Sequence, residues 1–217
     1  MQAAQVTHVP FEDLQDIVAQ NSLDLDTDFI QVTIAMANNS DDEEWRSQWD
    51  AVQNLRILNK FYFEAFQGVI DQFSGFLKAQ IENLRSNNSR NALALFRDVF
   101  SQNHDKTPEG RKVTDTWAVF LDAQFATVFA KVNADKKFLQ TEAQRGVLAA
   151  AETSPIPQTI SVLVKNSSHK VITLSEFACR ALEMLVKRAP PELFHEGHYE
   201  EQCLQIVHSL CEVLEQR

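Results

Sequence analysis

The chain has 217 residues, 44% of them hydrophobic, with a formal net charge of −10 and a pI near 5.0. This length supports one domain with a sizeable core or a short run of stacked repeats, and the acidic balance argues against a basic nucleic-acid surface and against docking on anionic lipid. Five glycines and six prolines are too few for the tight turns of an all-β fold.

Apolar periodicity is helical nearly throughout. Residues 1–10 read as a flexible N-terminal tail, and 11–217 as a single repeat domain. "FEDLQDIVAQ" (11–20) suits a short helix. "DTDFIQVTIAMANN" (26–39) has the composition of a strand, but its length favours a helix. The run 43–60 is a helix with Trp49, Val52 and Leu55 on one face and Trp45 one turn earlier, at its mouth. That position leaves two readings for Trp45: the first residue of a buried stripe, or a side chain displayed to a partner.

Residues 63–84 form one long stripe through Phe66, Val69, Ile70, Phe73, Phe76, Leu77 and Ile81. A new helix spans 86–102, capped by small polar residues. "TPEG" (107–110) is a cap-then-proline start for a helix carrying Val113, Trp117, Phe120, Leu121, Phe125 and Phe129. After a break at 133–138, Leu139, Ala143, Val147 and Ala150 make the next stripe. "TSPIP" opens a helix over 155–165, and the loop "KNSSHK" leads to a stripe over 174–185. A second break at 188–198 precedes a closing helix over 199–216. Helices thus come in pairs every 35 to 45 residues or so, the HEAT/armadillo period. The expected fold is an all-α solenoid of paired antiparallel helices, with an irregular helical bundle as the alternative.

Fifteen Phe against two Tyr point to core use, since Phe has volume and no polar handle. Cys179, Cys203 and Cys211 are odd in number and lie in apolar stripes, as reduced thiols of a cytosolic protein do. The N-terminus does not read as a signal peptide, and no stretch approaches the roughly 18 apolar residues of a membrane span. His195, Glu196 and His198 lack the spacing of a metal motif, and no third ligand is placed by pattern. No phosphate-cradling glycine loop and no nucleophile motif is present. Acidic pairs at 41–44 and 200–201 sit where helix dipoles favour them. The expectation is a non-enzymatic protein without cofactor or metal.

What remains is polar and basic groups at the turns inside successive helix pairs. They are Trp45 and Arg46; Arg85 and Arg90; Lys136 and Lys137; and Lys165, His169 and Lys170. In a stacked-pair solenoid such turns line one edge, giving a basic stripe on an acidic protein.

"EEWRSQWDAVQNLRIL" resembles the opening of a TOG domain of the CLASP type, in which a turn tryptophan precedes a helix. "IENLRSNNSRNALALFRDVF" (81–100) resembles that family's second repeat and is the most specific match. "KKFLQTEAQRGVLAAAETSPIPQTISVLV" and "SSHKVITLSEFACRAL" resemble later repeats, and crescerin TOG arrays share the pattern. Ser175 stands where the family often has a second basic residue. The resemblance covers roughly 43–188. It implies a monomeric microtubule-associated module of the cytoplasm and cytoskeleton, including the cilium or flagellum, that binds αβ-tubulin or a microtubule-associated protein. The implied contacts are Trp45, Arg46, Arg85, Arg90, Lys136, Lys137 and Lys170. The alternative is a repeat scaffold for other proteins that has lost tubulin.

Overall fold

The computed structural model describes residues 7–39, 45–101, 115–153 and 157–188. Every element among them is helical, and the chain divides into two compact units, Met1–Val99 and Phe100–Arg217. The fold is all-α and solenoid-like: consecutive helices, joined by short connections, pack on one another within each unit.

The first unit begins with α1 (Ile17–Gln20), a π-helical turn (Leu25–Ile30) and α2 (Gln31–Ala37). Asp24 starts the π turn by accepting from the Asp26 and Thr27 amides at 3.0 and 2.8 Å. Those bonds hold the Asp24 carboxyl below its usual pKa. The turn then buries Phe29 and Ile30 together. The strand-like composition of 26–39 thus gives way to helix, because the acidic start supplies a cap.

Next come α3 (Trp45–Phe61), α4 (Phe63–Val69), a 3₁₀ turn (Ile70–Phe73), α5 (Ser74–Glu82) and α6 (Ser86–Ser101). The stripe at 63–84, expected as one helix, is therefore split. Of its expected residues, Phe66, Ile70, Phe73, Leu77 and Ile81 are buried, whereas Val69 and Phe76 are only half-buried. Glycines at 68 and 75 flank the split, and each lowers helix propensity.

Helix α3 buries more than a stripe. Trp49, Val52, Leu55 and Leu58 are joined inside by Arg56, which is 0% exposed. The Arg56 Nε donates to Asp98 Oδ2 on α6 at 2.8 Å, and its Nη1 donates to Asn91 Oδ1 at 3.2 Å and to the Val9 carbonyl at 2.9 Å. Asp98 also takes Arg97 at 2.6 Å. One turn along α3, the Lys60 ammonium donates to the carbonyls of Phe11, Glu12 and Leu14 at 2.8–3.0 Å. Its charge lies 5.5 Å from the centre of the Phe11 ring and 4.9 Å from that of Phe61. Two cations on one helix therefore tie down the chain from Val9 to Leu14. Thr7 to Pro10, expected as part of a loose tail, run into this clamp. Phe11 and Leu14 are buried beneath it.

The second unit holds α7 (Asp115–Ala130), α8 (Lys137–Thr153), α9 (Pro157–Ser167) and α10 (Ile172–Arg188). Helix α9 packs on α10 and α7, and α10 packs on α8. The connection 168–171 is so short that α9 and α10 form a helical hairpin. Phe120, Leu121, Phe125, Val128 and Phe129 fill the core from α7. Ala143 and Ala150 on α8, and Ala178 and Ala181 on α10, are small and fully buried, which lets these helices approach closely. Phe129 and Phe177 close one side with ring centres 6.3 Å apart. The expected helix start at 107–110, the break at 188–198 and the closing helix 199–216 lie outside the described residues. So do Cys203 and Cys211; Cys179 is a half-buried thiol that forms no disulfide.

Two outcomes test this packing. Asp98→Ala strands the Arg56 charge inside the protein and is expected to cost about 3–5 kcal/mol in urea unfolding. Gly68 and Gly75 are helical, and an added Cβ would meet nothing within 4 Å. Gly68→Ala and Gly75→Ala are expected to raise stability by about 0.5–1 kcal/mol each, read from the same unfolding curves.

Candidate functional site

Trp45 is the first residue of α3 and is half-buried; Trp49, one turn on, is in the core. The guanidinium carbon of Arg85 lies 5.7 Å from the centre of the Trp45 ring. That is cation–π distance, worth about 0.5–1 kcal/mol at an exposed site. Arg85 belongs to the three-residue connection 83–85 between α5 and α6. The start of α3 and this corner, 40 positions apart in sequence, thus form one surface.

A chain of amides fixes the pair from below. Asn88 is 0% exposed and donates from Nδ2 to the Trp45 carbonyl and to Gln80 Oε1, both at 3.1 Å. Gln80 donates to Gln48 Oε1 at 3.1 Å, and Asn83 donates to Gln80 Oε1 at 3.3 Å. The Asn83 Oδ1 accepts from the Arg85 amide at 2.8 Å, which turns the corner. Between Asn83 and Arg85 stands Leu84, 98% exposed. An aliphatic side chain thus stands in water at the corner that carries Arg85. The sequence reading missed Leu84, since it lies in no stripe. It also took the asparagines of "SNNSR" only as caps, whereas Asn88 reaches across to α3.

Arg46 is exposed next to Trp45. Arg90 has moved elsewhere. It is half-buried on α6 and, with burial itself and the charges of Arg56 and Arg97, it depresses the pKa of His8 to about 4. Arg90 thus joins the cationic group around the clamped N-terminal segment.

In the second unit, Lys136 and Lys137 are exposed at the α7–α8 turn, and Lys137 donates to Gln140 Oε1 at 3.0 Å. Lys165, His169 and Lys170 are exposed around the α9–α10 turn, where His169 Nδ1 accepts from the Val171 amide at 3.0 Å. These two turns are neighbours: Thr173 Oγ1 at the start of α10 comes within 3.5 Å of Asn133 Oδ1. Val171 and Ile172, 41% and 72% exposed, stand beside Lys170. The second unit therefore repeats the motif of the first, basic side chains with exposed aliphatic ones at adjoining turns. Ser175, where a second basic residue was looked for, donates from its hydroxyl to the Ser167 carbonyl and joins α10 to the end of α9.

Among the described residues no group of three or more His, Cys, Asp or Glu side chains is placed to hold a metal ion. His195, Glu196 and His198 lie outside them. No described helix is long and apolar enough to cross a membrane.

No protein-family model matches the chain. No curated protein matches it either. Among solved structures, the crystal structure of an engineered protein is similar at a TM-score of 0.49 and 15% identity, over 94% of this chain and 85% of that one. A likeness at that level carries no argument about function, and the fold class rests on the helices themselves.

The environment of His8 sets a pH dependence. Its folded pKa of about 4 lies below the ordinary 6.5. Above pH 6.5 it is neutral in both states and contributes no slope. As pH falls from 6.5 to 4 the unfolded chain takes up the proton and the folded chain does not, so stability is lost through that window. His8→Gln is expected to flatten this part of the profile. Urea midpoints at pH 7 and 4.5 that fall equally in both proteins would contradict the assignment.

Proposed function

We propose that the chain is a non-enzymatic binding module that engages αβ-tubulin, or a microtubule-associated partner, through the turns of its helix pairs. It would work by stoichiometric binding that biases tubulin assembly, in the cytoplasm and cytoskeleton. The single observation behind this reading is the Trp45–Arg85 stack at 5.7 Å with Leu84 wholly exposed beside it. An aromatic anchor, a delocalised cation and an aliphatic side chain on a hydrogen-bonded base make a preorganised contact that loses little entropy on binding. Tubulin is acidic, so the cations are of the right sign even though the chain as a whole is not. At physiological salt the net charge of −10 is screened beyond roughly 8 Å, and local contacts decide.

The contact set differs from the one the TOG resemblance implies. Trp45, Arg46 and Arg85 remain, Leu84 is added, and Arg90 takes a structural place. Lys136, Lys137 and Lys170 add solvent-exposed charge at the turns of the second unit.

Size-exclusion chromatography with unpolymerised tubulin, at low and physiological salt, tests the reading. Co-elution is expected, weaker at the higher salt. Trp45→Ala should cost about 2 kcal/mol or more, roughly 30-fold in affinity, and Leu84→Ala a smaller part. Absence of co-elution even at low salt would remove free tubulin as the partner.

A further inference from the structure

A second surface of the first unit has a different character. The segment from Val9 to Ile17, the π turn, α2 and α3 enclose an open groove of about 560 Å³. Its apolar lining includes Leu14, Phe29, Met36 and Trp49, with Val32, 42% exposed, at the rim. The base is fixed, because Asn54 on α3 donates to Thr33 Oγ1 on α2 at 3.0 Å.

Among the described residues, the charged ones lining the groove are Asp13, Asp28 and Asp50, and no described lysine, arginine or histidine lines it. Asp28 is engaged locally, accepting from the Asp24 amide at 3.1 Å. Asp50 is half-buried, and burial raises its affinity for a proton, against the pull of Arg46 one turn back on α3. A half-buried carboxylate facing an apolar groove is stabilised by a cation brought to it from outside. Together these features match the face of a helix that carries leucine-like residues at i, i+3 and i+4 and a lysine or arginine alongside.

We infer that this groove docks a basic amphipathic segment of another polypeptide, seating its apolar side chains between α2 and α3 and its lysine or arginine on Asp50, with Asp13 beside it. The surface is separate from the Trp45–Arg85 stack, and the inference stands or falls without the tubulin reading.

The test uses the full chain, isotope-labelled for NMR. It is titrated with a synthetic amphipathic helix built from leucine and lysine in heptads, and with its leucine–glutamate counterpart. Saturable amide shifts are expected at Asp13–Ile17, Asp28–Met36 and Trp49–Ile57, with the lysine peptide alone. Asp50→Asn and Val32→Lys change a half-buried and an exposed side chain, and each should weaken binding at least about fivefold. Trp45→Ala should leave it unchanged. Equal binding of the glutamate peptide, shifts centred elsewhere, no saturable binding, or full affinity in Asp50→Asn would each overturn the assignment. The last would reduce the attraction to the net charge of the chain.

Discussion

The buried ion pair between Arg56 and Asp98 constrains the rest of the first unit. Neither side chain is more than 2% exposed, and each has further partners. Burying a guanidinium is costly, so every donor it presents favours an acceptor held in place. Asp98 fixes α6 against α3, Asn91 repeats the tie about two turns earlier on α6, and the Val9 carbonyl draws in the N-terminal segment. Asn91 then donates back to the Trp49 carbonyl at 3.1 Å, so the polar network also sets the rotation of α3. With α3 so oriented, Trp49 points to the core and Trp45 lies one turn away at the edge.

That orientation has consequences at both ends of α3. At its start, the amides of Gln48, Gln80 and Asn88 bring the α5–α6 corner under Trp45 and lay Arg85 across the ring. At its end, Lys60 gathers three carbonyls that no helix satisfies. Tyr62, just beyond, donates to both Asp16 oxygens at 2.9 and 3.0 Å. The N-terminal segment is a structural part of the unit because Arg56 and Lys60 on α3 donate to its carbonyls. The same segment forms one wall of the acidic groove, so the clamp that completes the core also shapes a candidate interface.

Charge is distributed in a way the net value conceals. Arginines 56, 90 and 97 are drawn inward around His8 and Asp98, while Arg46, Arg85 and the lysines of the second unit's turns stay at the surface. An acidic chain thus displays basic turns in each unit and, in the first unit, an apolar groove with carboxylates. The two surfaces suit partners of opposite charge.

The sequence by itself determined the helical class and most of the core. Periodicity reports one buried face per helix, and the stripes at Phe66–Ile81, Phe120–Phe129 and Leu174–Leu185 need no partner to be recognised. It also placed Trp45, Arg85, Lys136, Lys137 and Lys170 at turns, because caps and breaks are local. Tertiary structure alone decided what depends on distant pairs. Arg56 sits among apolar neighbours, and nothing local says that Asp98, 42 positions on, will neutralise it. Arg90 and Arg85 lie in the same short segment, yet one turns in toward His8 and the other out onto Trp45. Leu84 carries no periodic signal because it belongs to no helix, and its exposure follows from the corner that Asn83 and Gln80 build. Local spacing fixes which residues share a helix face; only packing fixes what that face meets.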